Sequence, residues 1–478
     1  MTDLKLSLNA SRVLKARYLQ RDTSGRIIET PEQLFRRSAR AIAHGETLFS
    51  NGSRVSYWEE EFYDMLISLD FLPNSPTLMN AGTPLGQLSA CFVLPVEDTI
   101  EGILQTLTHM ALITRAGGGI GFSFSKLRPK GDVLVSSGGE ASGPVSFMKI
   151  FDTATEHIKQ GGKRRGANMG VLRVDHPDIL EFITVKLDEK QLRNFNISVG
   201  VTNHFMEAVQ QEQYYTLVHP KSGNSAGKLQ ARHVFDTIVE AAWRCGDPGI
   251  LFLDAINKSN PTPHLDSIEA TNPCGEIPLL NYESCNLGSI NLAHMISHDH
   301  DGLHLDWKKL RSTVHKAVRF LDNVIEVNRY PLLEIKHMTS GNRKIGLGVM
   351  GFAEMLIRLG ISYDSDEAVL RAEQIMKAIA EEAFQASQDL AEERGVFPNW
   401  ENSLYKRQGI KVRNATRVAI APTGTISIIA GTSNGIEPLF ALAYRRTNVL
   451  GGRTLYECNQ IFLEHIKRYG LNAETFLD

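Results

Sequence analysis

The sequence predicts an α/β fold, in which amphipathic helices alternate with short apolar strands. Helices are expected where a capping signal precedes an apolar repeat of helical period, and strands where short apolar runs lie between turn residues. Glycine marks many of the strand ends, as at 117–119 and 161–162. In α/β proteins the loops at the carboxyl ends of strands are where ligands usually bind.

The predicted helices have clear end signals. Thr30 and Gln33 form a capping box around Pro31, and Gly45 is expected to end this helix. Asp98 with Glu101 is the predicted capping pair of the next helix. The predicted helices cover residues 31–44, 100–116, 144–160 and 366–394, and the predicted strands cover 90–94, 120–124, 195–201, 344–349 and 417–421.

The composition argues against nucleic-acid and membrane partners. The chain has 478 residues and a formal net charge of -3, so it presents no overall positive field to a nucleic-acid backbone. Its N-terminus, MTDLKLSLNA, lacks the apolar core of a signal peptide, and no run of about 18 apolar residues occurs. A cytoplasmic protein is therefore expected, and small phosphates remain compatible ligands.

The cysteines are too scattered for a disulfide scaffold. Their odd number and wide spacing do not match a small secreted domain. The absence of Cys-x-x-Cys and His-Glu-x-x-His disfavours a zinc site built by the protein. Any redox pair must therefore form between cysteines that meet only in space. The five cysteines are Cys91, Cys245, Cys274, Cys285 and Cys458.

The segment NPCGE, residues 272–276, places polar side chains at alternate positions. In an extended backbone Asn272, Cys274 and Glu276 would point to one side. Pro273 does not fit a central strand and Gly275 permits a close approach, which favours a tight loop threading through the interior. A buried structural cysteine beside a surface turn is the alternative.

The carboxylate near Cys274 argues against thiolate chemistry. Glu276 would raise the pKa of the thiol, and no histidine base adjoins it in the sequence. A neutral thiol beside a general base suits hydrogen-atom exchange, with Glu276 accepting a proton.

Three glycine-containing loops are candidate nucleotide contacts. Segment 421–431, APTGTISIIAG, offers hydroxyl and backbone N–H groups to a phosphate but lacks the ending of a P-loop. Segment 115–122, RAGGGIGF, lacks the spacing of a dinucleotide site but permits close backbone approach to a ligand. Segment 160–170, QGGKRRGANMG, offers basic side chains for clamping a nucleotide. Ordinary turns and a solvated loop are the alternatives.

Several ordered segments share a family resemblance. They are FLPNSPTLMNAGTPLGQLSACFVLPVEDTIEGI, GGGIGFSFSKLRPKG, NPCGEIPLLNYESCNLGSINL and APTGTISIIAGTSNGIEPLF. Together they resemble the catalytic chain of a ribonucleotide reductase, from about Leu6 to the C-terminus. NSPTLMNAGT and NPCGE are most similar to the adenosylcobalamin-dependent class II branch. The resemblance implies a ten-stranded α/β barrel of the ribonucleotide reductase and glycyl-radical type with a central finger loop. We expect a helical region over residues 1–70 and the barrel over 71–478.

The resemblance assigns radical chemistry to the NPCGE segment. It implies that Cys274 becomes a thiyl radical and takes the 3′ hydrogen of a ribonucleotide. Glu276 would accept the 3′-hydroxyl proton as the 2′-hydroxyl leaves as water, and Asn272 would hydrogen-bond the substrate. Cys91 and Cys285 match the pair that supplies two electrons and ends as a disulfide, so adjacent barrel strands should bring them together.

Substrate and effector positions also follow from the resemblance. The implied substrate-binding residues are Ser75, Ala90, Cys91, Gly119, Asn272, Pro273, Cys274, Gly275, Glu276, Pro422, Thr423, Gly424, Thr425 and Ile426, of which 422–426 meet the phosphates. The implied residues of a deoxynucleotide effector site are Asp98, Arg128, Lys163 and Arg165, and the loop 163–168 would relay effector identity to the substrate base. For Asp98, helix capping is the alternative role.

The implied reaction needs a cofactor and partners. A sugar C–H bond is too weakly acidic for side-chain bases, so a radical generator is required, here the cobalt–carbon bond of adenosylcobalamin. The expected partners are a ribonucleotide substrate, a deoxynucleoside triphosphate effector, a thioredoxin-like reductant and a second copy in a homodimer. A diphosphate substrate is favoured over a triphosphate.

Two alternatives and an apparent truncation accompany this interpretation. The sequence ends about forty residues after SNGIEPLF, before the last strands and the C-terminal cysteine pair that the family implies. We therefore expect a fragment, or half of a split enzyme with a complementing C-terminal chain. One alternative is a class I large subunit served by a separate diiron or dimanganese radical protein. The other is a non-catalytic nucleotide-binding chain, which retention of the five catalytic candidates disfavours.

Overall fold

The N-terminal part of the molecule is helical. The computed structural model describes residues 4–50, 52–133, 138–158, 166–300, 302–449 and 453–470. The first helices are α1 (Leu8–Val13), α2 (Pro31–Ala43), α3 (Thr47–Ser50) and α4 (Val55–Ile67). A π-helical turn, Leu14–Tyr18, continues from α1. No helix in the described ranges is long and apolar enough to cross a membrane.

Strands and helices alternate from residue 71 onward. The first of them are β1 (Phe71–Pro73), α5 (Ser75–Asn80), β2 (Cys91–Pro95), α6 (Ile100–Arg115), β3 (Gly119–Ser123), α7 (Pro144–His157), β4 (Asn168–Arg173), α8 (Ile179–Thr184), β5 (Phe195–Val201), α9 (Asn203–Gln210), β6 (Tyr214–Val218), β7 (Ser225–Gln230), α10 (Ala231–Cys245), β8 (Gly249–Phe252) and α11 (Leu253–Lys258).

The remaining elements are β9 (Ala270–Thr271), β10 (Pro278–Leu279), β11 (Ser284–Asn291), β12 (Ile296–Asp299), β13 (Gly302–Leu305), α12 (Trp307–Val327), α13 (Leu333–Asn342), β14 (Ile345–Met350), α14 (Phe352–Leu359), α15 (Asp366–Arg394), α16 (Leu404–Arg407), α17 (Ile426–Ala430), β15 (Ala443–Val449), β16 (Arg453–Cys458) and α18 (Gln460–Arg468).

The main sheet has eight strands within the described residues. Strands β2, β3, β4, β5 and β8 run parallel to one another. Strand β11 is antiparallel to β2 near its start and to β1 near its end, and it pairs with β14 in parallel. Strands β11 and β14 therefore run opposite to the five parallel strands, and the two groups meet where β2 pairs with β11. The predicted α/β class is confirmed, with eight of its strands in the described residues where the resemblance implies ten.

The sheet is buried on both faces. Phe92 and Leu94 of β2 pack in a core shared with helices, whereas Cys91 and Val93 belong to a smaller inner core with Leu287 of β11. Successive side chains of a strand point to opposite faces, so the inner core lies on the other side of the sheet from the helices. Burial on both faces is typical of parallel strands in α/β folds.

Most predicted elements occur close to their expected positions. Strand β5 and helix α15 have the predicted limits, and Thr30 and Gln33 form the capping box of α2. Strands β2 and β14 begin one residue later than predicted, and β3 one residue earlier. Helix α2 ends at Ala43, because Gly45 lies in a following 3-10 turn. Helix α7 begins at Pro144 and ends at His157.

Two local predictions are wrong. Thr99, not Asp98, caps α6, because the extended backbone at Thr99 aims its hydroxyl at the Gly102 N–H (3.0 Å). Asp98 instead binds Arg128. Segment 417–421 is not a strand: Val418 makes only an isolated parallel bridge to Leu347 of β14.

Candidate active site

The NPCGE segment is the tip of a hairpin. Strands β9 and β10 are antiparallel, and residues 272–277 connect them. The Asn272 carbonyl accepts a hydrogen bond from Gly275 N (3.1 Å), and its side-chain oxygen accepts one from Ile277 N (3.1 Å). Gly275 has φ +83°, a left-handed conformation that favours glycine. The tight loop expected from Pro273 and Gly275 is therefore present.

Glycines in β3 make room for this hairpin. A Cβ added at Gly121 would lie 1.7 Å from the Thr271 carbonyl oxygen, and one at Gly119 would lie 2.9 Å from Pro273 Cγ. The Asn196 side-chain amide donates a hydrogen bond to the Pro273 carbonyl (2.7 Å) and ties the tip to β5. The close approach expected in segment 115–122 is thus an approach to the hairpin, although Gly119 also lines the cavity described next.

A cavity of about 300 Å³ lies beside the hairpin tip. All the predicted substrate-binding residues except Gly275 line it, namely Ser75, Ala90, Cys91, Gly119, Asn272, Pro273, Cys274, Glu276, Pro422, Thr423, Gly424, Thr425 and Ile426. The lining residues that sequence reasoning missed are Arg17, Tyr18, Asn74, Met79, Gly118, Ala167, Leu287, Gly288, Ser289 and Ala421. Asn74 and Ser289 lie inside the family segments, but Arg17 and Tyr18 lie in no motif.

The three polar residues of the tip differ in exposure. Asn272 is buried, Glu276 is half-buried and Cys274 is exposed. The Asn272 side-chain amide donates hydrogen bonds to Glu276 Oε2 (2.6 Å) and to Cys91 Sγ (3.1 Å). One amide therefore joins the candidate proton acceptor to the candidate reductant, while the thiol of Cys274 is left accessible.

Cys91 and Cys285 are brought together by the sheet. They are register partners across β2 and β11, and both are buried. Burial raises the pKa of Cys285 well above its usual range, and the positive charge of Lys344 only partly opposes this. Lys344 and Glu283 form a buried ion pair nearby (2.6 Å). Cys285 is therefore a neutral thiol at physiological pH.

Residues with hydroxyl groups form another part of the cavity lining. Ser75, at the start of α5, is hydrogen-bonded to the buried Tyr18 hydroxyl (2.7 Å). Thr423 has φ +53°, and its hydroxyl accepts a hydrogen bond from Gly435 N (2.8 Å). Helix α17 begins at Ile426, directly after this loop. The loop 422–426 thus presents hydroxyl and backbone groups to the cavity.

Asp98 and Arg128, the two predicted effector residues that the structure describes, are not among the residues that line the cavity. Arg128 donates from its side chain to Asp98 Oδ2 (2.8 Å) and from its backbone to Asp98 Oδ1 (3.1 Å). The hydrogen bond to Asp98 raises the pKa of Arg128. Lys163 and Arg165 lie outside the described residues. In the part of the chain that the structure describes, no group of three or more His, Cys, Asp and Glu side chains could hold a metal ion.

Comparisons with known proteins give a family match over most of the chain. The family model of the ribonucleotide reductase barrel domain matches residues 89–413 and 407–478, and that of the ribonucleotide reductase all-alpha domain matches 4–86.

Individual relatives have the same family identity. A vitamin B12-dependent ribonucleoside-diphosphate reductase of Thermoplasma acidophilum is 50% identical over 99% of this chain and 68% of the relative. A Mycobacterium tuberculosis protein of the same name is 52% identical over 96% of the chain and 66% of the relative. The ribonucleoside-diphosphate reductase subunit alpha of Chlamydia muridarum is 30% identical, and the match covers 51% of it. The chain thus spans about two thirds of the first two relatives and about half of the third.

Proposed function

Because the chain belongs to the ribonucleotide reductase family, we propose that it reduces ribonucleoside diphosphates to 2′-deoxyribonucleotides with a vitamin B12 cofactor. One observation supports the proposal most directly. The Asn272 side-chain amide donates hydrogen bonds to both Glu276 and Cys91, and all three residues line one cavity with the exposed Cys274. The Thermoplasma acidophilum and Mycobacterium tuberculosis relatives, both named as vitamin B12-dependent, are 50% and 52% identical to the chain, against 30% for the Chlamydia muridarum subunit alpha, which supports the B12-dependent branch.

Cys274 fits the role of radical carrier. It is exposed at the tip of a hairpin whose neighbouring residues are held in place, so a radical generator can reach its thiol. Adenosylcobalamin, when bound, supplies the radical that removes the hydrogen atom of this thiol. The Cys274 thiyl then takes the 3′ hydrogen of the ribose, re-forming its S–H bond and leaving the unpaired electron on the sugar.

Glu276 accepts the substrate proton, and Asn272 holds Glu276 in position. Glu276 accepts the 3′-hydroxyl proton while the 2′-hydroxyl, protonated by a thiol of the Cys91–Cys285 pair, leaves as water. The 2.6 Å hydrogen bond from Asn272 holds the Glu276 carboxylate towards the cavity. The same amide donates a hydrogen bond to Cys91 Sγ, so Asn272 fixes the position of Glu276 relative to Cys91.

Cys91 and Cys285 supply the two electrons. Both thiols lose their hydrogens, a disulfide forms between them, and the sugar carbon that lost its hydroxyl gains hydrogen. At the end Glu276 returns its proton to the 3′ oxygen, and Cys274 returns its hydrogen atom to C3′ and is again a thiyl. The net change is one ribonucleotide and two thiols converted to one deoxyribonucleotide, one disulfide and one water.

We also propose the regulatory and assembly partners expected from the family likeness. A deoxynucleoside triphosphate effector would bind near the Asp98–Arg128 pair, a thioredoxin-like protein would renew the thiols, and the cytoplasmic enzyme would be a homodimer. The separation of Asp98 and Arg128 from the cavity lining supports an effector site distinct from the substrate site.

The test is deoxynucleotide formation by the purified chain with a dithiol reductant. Product from ADP is expected with adenosylcobalamin, and not when a small radical-generating subunit replaces the cofactor. Cys274→Ser should abolish product, whereas Cys245→Ser, which changes an exposed thiol at the end of α10, should not. Product that requires the small subunit would contradict the proposal, as would full activity of Cys274→Ser.

A further inference from the structure

Arg17 is the one cationic side chain among the described residues that line the cavity. Glu276 is the one carboxylate in that lining, and it is bound by the Asn272 amide. Arg17 lies in the π-helical turn Leu14–Tyr18, within the matched all-alpha region but outside the four ordered segments quoted for the resemblance. Its place in the cavity lining is therefore seen only in the structure.

The fold fixes this turn beside other parts of the cavity lining. The Tyr18 hydroxyl, next to Arg17 in the chain, is hydrogen-bonded to Ser75 (2.7 Å). Helix α1, which leads into the turn, packs against helix α17, and the turn itself packs against α5. The turn that carries Arg17 is thus attached to α5, which begins at Ser75, and the helix before it to α17, which follows the loop 422–426.

The charge of Arg17 is not used elsewhere in the described part of the chain. Arg26 pairs with Asp22 and Arg37 pairs with Glu29, but Arg17 forms no ion pair with a described carboxylate. It is half-buried, so its charge is only partly screened by water. A guanidinium without a described carboxylate partner, in a lining whose one other charged side chain is Glu276, favours a ligand with several negative charges.

We propose that Arg17 binds the phosphate groups of the substrate, so that the N-terminal helical region completes the ribonucleotide site. The loop 422–426 supplies neutral hydroxyl and N–H donors, and Arg17 supplies the positive charge that a diphosphate requires. The identity of the ligand as a ribonucleoside diphosphate rests on the proposed function. The binding contribution of Arg17 is measurable without turnover.

The experiment is calorimetric titration of the full chain with ADP and with adenosine. A saturating deoxynucleoside triphosphate is present, so that an effector site does not contribute. The proteins compared are the parent, Arg17→Gln, Arg17→Lys and the matched control Lys15→Gln, which removes an exposed cation from the same turn. Arg17→Gln should weaken ADP binding about tenfold, as expected for loss of one charge-assisted contact, and leave adenosine binding unchanged. Arg17→Lys should retain most of the affinity, and Lys15→Gln all of it.

Two results would overturn the inference. Unchanged ADP affinity in Arg17→Gln would show that the guanidinium does not meet the phosphates. An equal loss for ADP and adenosine would assign Arg17 a merely structural role. In turnover, Arg17→Gln should raise KM for the diphosphate without lowering kcat. A selective ADP effect in a chain that forms no deoxynucleotide would sustain the Arg17 inference while refuting the proposed function.

Discussion

Cys91 and Cys285 lie opposite each other across the antiparallel strands β2 and β11, although they are far apart in the sequence. Directly opposed residues of antiparallel strands have Cα atoms about 4.5–5.5 Å apart. Disulfides span Cα distances of about 4.4–6.8 Å. The sheet thus places the two thiols where a disulfide can form with little backbone movement.

This pairing predicts a substrate-dependent disulfide. One turnover without external reductant should convert Cys91 and Cys285 to a disulfide, detected by peptide mapping after rapid alkylation. Cys91→Ser and Cys285→Ser should each lower multiple-turnover activity by more than about a hundredfold, because a hydroxyl cannot supply the electrons. Cys245→Ser is the control. A disulfide that instead includes Cys274 would contradict the assignment.

The exposure of the thiols predicts their order of alkylation. Cys274 and Cys245 are exposed and should react with iodoacetamide in the native chain, whereas Cys285 should not. Burial raises the pKa of Cys285, so its protection should persist from pH 7 to pH 9 and disappear when the chain is unfolded. Mass spectrometry of the labelled peptides reads this directly. Labelling of native Cys285 as fast as Cys245 would show that β11 is not packed as described.

The close approach of the hairpin to Gly121 predicts that one added methyl group at this position lowers both stability and activity. Gly121→Ala places a Cβ against the Thr271 backbone oxygen and should displace the hairpin, with a loss of about 1–3 kcal/mol in stability or more and of most activity. Gly249→Ala is the matched control, since its Cβ would meet only the rotatable Ser198 hydroxyl at 2.9 Å. Urea unfolding and turnover are the measurements. Equal, small effects of both substitutions would mean that the hairpin does not press on β3.

The hydrogen bond from Asn272 to Glu276 predicts a shift in the pH profile. Asn272→Asp replaces the donor, 2.6 Å from Glu276, with a second carboxylate. Neighbouring like charges raise the pKa of one member of the pair, so the acid limb of the kcat/KM profile should move to higher pH. Asn272→Ala removes the donor without adding charge and should lower activity with a smaller shift. An unmoved acid limb in Asn272→Asp would argue against Glu276 as the proton acceptor.

The lowered pKa of the buried Asp322 carboxyl predicts that the protein loses stability at acidic pH. Burial alone would raise its pKa, but the guanidinium groups of Arg343, Arg413 and Arg394 outweigh burial and hold the pKa well below its ordinary value of 3.8. A carboxylate whose pKa is lowered by folding stabilises the protein above its unfolded pKa, and this stability is lost as pH falls through the folded value. The midpoint of urea unfolding should therefore be steady above about pH 5 and fall below about pH 4.

A substitution at the same site tests this cause. Asp322→Asn removes the carboxylate shared by three buried or nearly buried arginines, Arg343, Arg394 and Arg413. Arg343 and Arg413 keep Glu326 as a partner and Arg394 keeps Glu46, so the loss should be about 1–3 kcal/mol at neutral pH. It should also flatten the acid dependence. Glu60→Gln, at an exposed pair with Arg36, is the control and should change little. A steep acid dependence that survives in Asp322→Asn would place its origin in other carboxylates.

Sequence patterns a few residues long correctly predicted the parts of the fold that are set by contacts between neighbouring residues. The capping box at Thr30, the limits of β5 and α15, and the tight turn at Gly275 follow from residues a few positions apart. Asp98 shows the limit of such signals. A capping role for it was reasonable locally, but Arg128, distant in the sequence, binds its carboxylate and leaves the cap to Thr99.

The sequence by itself determined the α/β class, the tight turn around Cys274 and most of the residues in family segments that line the cavity. The family resemblance predicted that Cys91 and Cys285 meet, but only the tertiary structure decided the strand register that places them opposite each other. It alone also decided that Gly121 accommodates the hairpin and that Arg17 reaches the cavity. Strand register and the packing of α1 against α17 create these contacts, and both depend on burial of surfaces from distant parts of the chain. Turn and cap chemistry acts over a few residues, whereas the cavity is assembled from segments spread between residues 17 and 426.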